Sequence, residues 1–151
     1  MNCTRDVLLK DYMTLLPSTL AVAEVLESVP PDDLVVAALQ RLKQAGYLIA
    51  LDDFAVDDPR TPLTEIADIL KVDIRQTSLE DAAAIAKKHG PWRCRLLAEK
   101  VETREEFAAT KAAGFVYFQG YFLPCWESAK SGVGYGWSPL SRSAKSVPVN
   151  C

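Results

Sequence analysis

The stretch Tyr47-Leu48-Ile49-Ala50-Leu51-Asp52-Asp53-Phe54 decides the fold: an apolar run stops abruptly on two adjacent acids. A run this short, built from aliphatic side chains, reads as a strand buried on both faces. A helix precedes it. Pro30-Pro31 leads to Asp32 or Asp33 as N-cap, then to an apolar stripe of Leu34, Val35, Ala38, Leu39 and Leu42. Gly46 stands where a left-handed terminal residue belongs.

Working outward, the same unit recurs. Strand-like runs occupy Leu20–Leu26, Ile69–Val72, Arg95–Ala98 and Phe115–Phe118. A second helix starts at Ser78, with Asp81 three residues on, and stops at Gly90-Pro91. Its Lys87 and Lys88 lie near the negative end of the helix dipole. A third helix has Thr103 and Glu106 as a capping box and Gly114 as its stop, and a helical turn over Pro62–Ala67 fills a remaining gap. Strands alternating with helices predict an α/β fold: a parallel sheet covered by outer helices.

The strand ends carry the chemistry. Glu24 and Glu27 close the first run, Asp52 and Asp53 the second, Asp73 the third, Glu99 the fourth and Gln119 the fifth. From Glu24 through Asp52, Asp73 and Glu99 to Gln119 the steps are 20 to 28 residues, each about one βα unit. A parallel sheet puts all its carboxyl ends on one side, and in a (β/α)₈ barrel that side is the active-site face. Two readings stay open. An acid after a strand caps a helix or sits in a solvated loop, and Asp53 and Glu80 fit that use. Alternatively the acids form a cluster, whose mutual repulsion requires a cation or hydrogen bonds.

Composition narrows the chemistry. The 151 residues, 49% hydrophobic and 25% charged, give the length and make-up of one globular domain. A net charge of -3 argues against a nucleic-acid polymer as partner, because phosphates need clustered Lys and Arg. No apolar run approaches the roughly 18 residues of a membrane span. The start, MNCTRDVLLKDY, lacks the basic and apolar segments of a signal peptide, so a cytoplasmic location is expected. Cys3, Cys94, Cys125 and Cys151 are scattered without a C-x-x-C pair, and read as incidental thiols. His89 is the single histidine, which argues against a histidine-rich zinc site and a Ser-His-Asp triad. Any metal falls to carboxylates and amides, the ligands of hard ions such as Mg²⁺ or Mn²⁺.

After Pro124 the character changes. Residues 125–151 hold six Ser, three Gly, one acid and three bases. We expect a domain over 1–124 and a Ser/Gly-rich flexible tail over 125–151. Gly132-Val133-Gly134-Tyr135-Gly136 lacks the Lys-Ser/Thr pair and following helix of a phosphate loop. Trp126, Tyr135 and Trp137 give the tail docking groups with no indicated site.

As a series, these strand ends resemble the EAL domain, the family of cyclic di-GMP phosphodiesterases. The matching segments are Glu24-Val-Leu-Glu27, Ala50-Leu-Asp-Asp-Phe54, Ile69-Leu-Lys-Val-Asp73, Leu97-Ala-Glu-Lys-Val-Glu-Thr103 and Phe118-Gln-Gly-Tyr-Phe122, in the family's order. Met1-Asn-Cys-Thr-Arg5 resembles the family's third strand. The wording of the last two segments is similar to the EAL half of EAL–HDOD proteins of bacterial signal transduction. The resemblance implies a TIM-type barrel, here N-terminally truncated to about six of eight strands. It implies metal ligands at Asn2, Glu24, Asp52 and Asp53, a general base at Glu99 and a water- or phosphate-positioning lysine at Lys71. Glu27, Asp73, Glu102 and Gln119 fall at supporting positions. The chemistry implied is Mg²⁺- or Mn²⁺-dependent opening of cyclic di-GMP to pGpG.

Three departures weigh against hydrolysis. The E-A-L signature is absent. Ala55 stands for a glycine after the aspartate pair, where a positive φ is costly for alanine. Lys100 stands for the glycine after Glu99, and a cation there can pair with Glu99 or disfavour a metal. The expected function is a degenerate, non-hydrolytic signalling domain that binds cyclic di-GMP or a protein. The alternatives are a Mg/Mn-dependent phosphodiesterase and a non-functional fragment of a longer EAL protein. An open barrel needs covering, by a homodimer, a swapped domain, the tail or another protein, or else it is unstable.

Overall fold

The computed structural model of the chain describes residues 1–90 and 94–120. Pro91 and the expected tail at 125–151, with Cys125, Cys151, Trp126, Tyr135 and Trp137, lie outside the described residues. Six strands alternate with four helices: β1 Asn2–Cys3, α1 Arg5–Leu9, β2 Val22–Val25, α2 Asp33–Gln44, β3 Leu48–Leu51, β4 Ile69–Asp73, α3 Leu79–His89, β5 Arg95–Glu99, α4 Arg104–Ala113 and β6 Tyr117–Phe118. Short 3₁₀ turns span Tyr12–Leu15 and Thr61–Glu65. The strands form one sheet in the order β1-β2-β3-β4-β5-β6, every pair parallel. This progressive order builds the wall of a (β/α) barrel, not a doubly wound sheet whose order reverses. Among the described residues the sheet is not closed, and the architecture is a partial TIM-type barrel.

Local chemistry explains the helix ends. Asp32 Oδ1 accepts the Val35 amide at 2.9 Å, and Ser78 Oγ accepts the Asp81 amide at 3.0 Å. Thr103 and Glu106 close a reciprocal capping box, and Gly114 ends α4 at φ 108, a conformation open to glycine. In α2 the buried stripe is Val35, Ala38, Leu39 and Leu42, each removed from water at about 1.5–3 kcal/mol per large side chain. Leu34, expected in that stripe, is 59% exposed, because it sits one residue off the face that Val35 defines. α1 and the turn at Tyr12–Leu15 were not foreseen; Thr4 caps α1 through the Val7 amide, and Leu8 and Met13 are buried.

The two faces of the sheet differ. Outward residues such as Ala23, Val25, Ile49, Leu51, Leu70, Val72, Leu96 and Ala98 join the helices in the main core. Inward residues Val22, Ala50, Ile69 and Leu97 form a separate apolar layer with Tyr117 against it. Strand side chains repeat with period two, so the next inward position along each strand is fixed. Those positions are Glu24, Asp52, Lys71, Glu99 and Gln119.

Candidate functional site

The inner face is thus apolar in one layer and charged in the next, at the carboxyl ends of β2 to β5. Lys71 lies at the centre. Its Nζ donates to Asp52 Oδ1 at 2.6 Å and Glu24 Oε2 at 3.0 Å, and stands 3.1 Å from Glu99 Oε1. One ammonium therefore faces three carboxylates from three other strand ends. Asp53 joins the group: Asp52, Asp53 and Glu99 each present an oxygen within 4.8 Å of the others. Asp53 holds a left-handed φ of 46, which turns the chain immediately after β3.

The electrostatics follow from this crowding. Burial works to lower the Lys71 pKa, but the hydrogen bonds to Asp52 and Glu24 and the charge of Glu99 outweigh it and hold the ammonium above its ordinary value. Burial raises the Glu99 carboxyl, Lys71 opposes that, and Asp52 and Asp53 add to the rise. Asp53 is raised by burial and by Asp52 and Asp73, with Lys100 opposing.

Asp73, at the end of β4, is buried and sits on the same inner register, opposite Glu99. Its Oδ1 accepts the Arg75 amide at 2.8 Å and its Oδ2 accepts Gln76 Nε2 at 2.9 Å. The ammonium of Lys100 also donates to Oδ2. Burial opposes ionisation of Asp73, but these donors, Lys100 first, hold its pKa below the usual range. Lys100 was expected to pair with Glu99 or act against a metal there; its partner is Asp73, because its φ of 59 folds the side chain back across the β4 end.

The remaining expected residues stand further out. Asn2 is paired in register with Glu24 across β1 and β2. Glu27 is exposed, and its charge contributes to raising Asp53. Glu102 pairs instead with Arg75 at 3.5 Å. Gln119 is exposed beyond β6, where its carbonyl accepts the Val101 amide at 3.0 Å. A Cβ on Gly120 would lie 2.0 Å from the Val101 carbonyl oxygen, so only glycine permits this approach of the β6 end to the β5 loop.

Arg60 was missed. It is 1% exposed, and its guanidinium grips Asp58 while donating to the carbonyls of Val25 at 3.1 Å and Asp52 at 2.8 Å. It thus fixes the backbone that carries the aspartate pair. The sole signal was an acid two residues before an arginine in a Pro-containing turn, which is weak.

The donor set around Lys71 is all oxygen and partly buried, which fits a hard divalent ion. Asp52, Asp53 and Glu99, with Glu24 beside them, are the residues that would hold it. Such an ion, when bound, would supply Lewis-acid chemistry there.

No family model matches the chain. It is 38% identical over 126 residues to the cyclic di-GMP phosphodiesterase CdgJ of Vibrio cholerae, covering 82% of this chain and 29% of that protein. The chain therefore spans under a third of that relative's length. The YkuI protein of Bacillus subtilis, solved with an EAL domain in complex with substrate cyclic di-GMP and calcium, matches 76% of this chain and 31% of its own at 25% identity and a TM-score of 0.56. BlrP1 of Klebsiella pneumoniae, solved with manganese and cyclic di-GMP, matches 78% and 33% at 23% identity and a TM-score of 0.58.

Proposed function

Because the chain belongs to the EAL-domain family and is related to cyclic di-GMP phosphodiesterases, we propose that it is a signalling domain that binds a divalent cation and cyclic di-GMP without hydrolysing the nucleotide. The observation that carries the reading is the oxygen cluster of Asp52, Asp53 and Glu99 within 4.8 Å, of which Lys71 contacts Asp52 and Glu99. The first three supply ligands for Mg²⁺ or Mn²⁺, and a phosphodiester of cyclic di-GMP is the anionic group such an ion attracts. Lys71, held charged, orients Asp52, Glu24 and Glu99 and offers a second positive group to phosphate. Its protonated state makes it a donor, not a base, so any proton from a water would fall to Glu99, whose Oε1 lies 3.1 Å from the ammonium.

What supports loss of turnover is local. Lys100 places an ammonium beside the base and on Asp73. Ala55, expected at a left-handed position, is not left-handed; the positive φ of this turn falls on Asp53, so the alanine costs the backbone nothing. The readout is calorimetric titration with cyclic di-GMP and Mn²⁺, paired with chromatography for pGpG. Heat without product is expected. Product above that of a Glu99→Ala control would instead establish a phosphodiesterase, a reading favoured by the retained contact of Lys71 with Glu99 and Asp52. Neither heat nor product would leave the fragment reading. We assign the covering of the open inner face to a second protein surface, a further copy of the chain first, which sedimentation reports as a dimer. Among the described residues no helix is long and apolar enough to cross a membrane.

A further inference from the structure

We propose that the cavity between α3 and the loop after β3 binds a small monocarboxylate, held by the imidazole of His89 and the ammonium of Lys88. The site shares no residue with the carboxylate cluster and does not depend on the reading of that cluster.

The cavity, about 90 Å³, is lined by Val56, Asp57, Ala84, Ile85, Lys88 and His89. At roughly 10–15 Å³ per water-sized sphere it has room for about six non-hydrogen atoms. Ala84 with Lys88, and Ile85 with His89, stand four residues apart on α3, so one face of that helix forms the floor. What points to a ligand is His89. It is 6% exposed, and its ring, edge to face with Phe54, has no hydrogen-bond partner among the described residues. No fully buried side-chain nitrogen or oxygen of the described residues lacks a partner. The unpartnered ring nitrogens therefore hold the residual exposure of His89, and the cavity is the space they open into. An imidazole so nearly buried is costly without a partner.

The lining sets the class of ligand. Lys88 is exposed and pairs with no carboxylate among the described residues, and its charge acts on the imidazole. An acceptor bearing negative charge satisfies both groups at once, one oxygen taking the ring N–H and the other the ammonium. A cation meets the repulsion of Lys88 instead. Val56, Ala84 and Ile85 call for a short apolar body behind the charged head. Asp57, exposed at the rim, and the negative end of α3 both act against an anion, so the ammonium of Lys88 has to outweigh them. That makes Lys88 the decisive residue.

His89 is the single histidine of the chain, so its imidazole C–H resonances report this site alone. Propionate is titrated into the full chain at fixed pH and ionic strength, and those resonances are followed by nuclear magnetic resonance. The proteins are the wild type, Lys88→Gln, Ala84→Leu and Lys87→Gln. The wild type should show a saturable shift with a Kd on the order of 1 mM. Lys88→Gln should bind about tenfold more weakly, and propionamide, of the same size without the charge, should do so on the wild type. Ala84→Leu puts a good helix former at an exposed helical position and fills the cavity, so its shift should vanish. Lys87→Gln, outside the lining, should bind as the wild type does. No saturation in the wild type, or an equal shift with chloride alone, overturns the proposal. Equal affinity for propionamide overturns the carboxylate class. Undiminished binding in Ala84→Leu overturns the site, and an equal loss in Lys87→Gln and Lys88→Gln overturns the specific role of Lys88. None of these outcomes bears on Mn²⁺ at the carboxylate cluster, so failure here is distinct from failure of the function proposed above.

Discussion

Two cations sit about the same loop and do opposite things. Arg60 faces one carboxylate, Asp58, and the pair is almost wholly buried, at 1% and 4% exposure. Its remaining donors go to the carbonyls of Val25, Asp52 and Asp53, so charge and hydrogen bonds both balance. Lys71 faces three carboxylates at 13% exposure; its donors are matched but the charge is not. A balanced buried pair has nothing left to offer a ligand and serves as a strut beneath the Asp52–Asp53 turn. An unbalanced, partly solvated cluster keeps an appetite for positive charge. The strut holds the site still while the site stays unsatisfied.

The sharpest way to break this contrast is Arg60→Met. It leaves Asp58 charged and buried and strips three carbonyls of their donor, so unfolding by denaturant should show a loss of about 3–5 kcal/mol. Added Mn²⁺ should restore none of it. Arg60→Lys should recover only part, because an ammonium cannot reproduce the planar fork. A loss below about 1 kcal/mol would mean the pair is not a strut. Lys71→Met tests the other half. Three partly solvated carboxylates lose their donor, for a loss of about 2 kcal/mol, and here added Mn²⁺ should raise the melting temperature back toward the wild type. Rescue of Arg60→Met and not of Lys71→Met would invert the comparison.

Much of this was legible in the sequence, for identifiable reasons. The strand and helix alternation is written in short apolar runs and in the caps Asp32, Ser78 and Thr103, which act locally. Glu24, Asp52 and Glu99 are legible because each closes an apolar strand run one βα unit from the next, whereas Lys71, inside its strand, is legible only through the family resemblance. Arg60 is not, because its partners are mainly backbone carbonyls, which have no sequence signature. Lys100 is half legible. Its charge was seen, but its partner depends on a left-handed backbone that no neighbouring glycine announces. α1 escaped because a helix of five residues shows barely more than one turn of periodicity.

A smaller effect separates the loop of Lys100 from the helix behind it. Thr103→Ala removes the hydroxyl that accepts the Glu106 amide at 3.1 Å, for about 1 kcal/mol in denaturant unfolding. Mn²⁺ affinity should not change, since the cap stabilises α4 and touches no carboxylate of the cluster. A change in affinity would show that the cap and the site move together.

The smallest effect belongs to pH and lies on the strut side. His89, at the end of α3, is 6% exposed and meets Phe54, the residue after Asp53, edge to face with ring centroids 5.4 Å apart. Burial, with the charge of Lys88, depresses its pKa below the ordinary 6.5. Below pH 6.5 the unfolded chain therefore takes up a proton that the folded chain resists, so stability rises with pH across that window. The contribution is complete above 6.5 and is lost as pH falls toward the depressed folded value. Denaturant midpoints for wild type and His89→Gln between pH 5 and 7.5 should differ in slope, with the flatter line in the variant. Equal slopes would mean the imidazole is protonated behind Phe54, and that the wall under the aspartate turn is wetter than its burial implies.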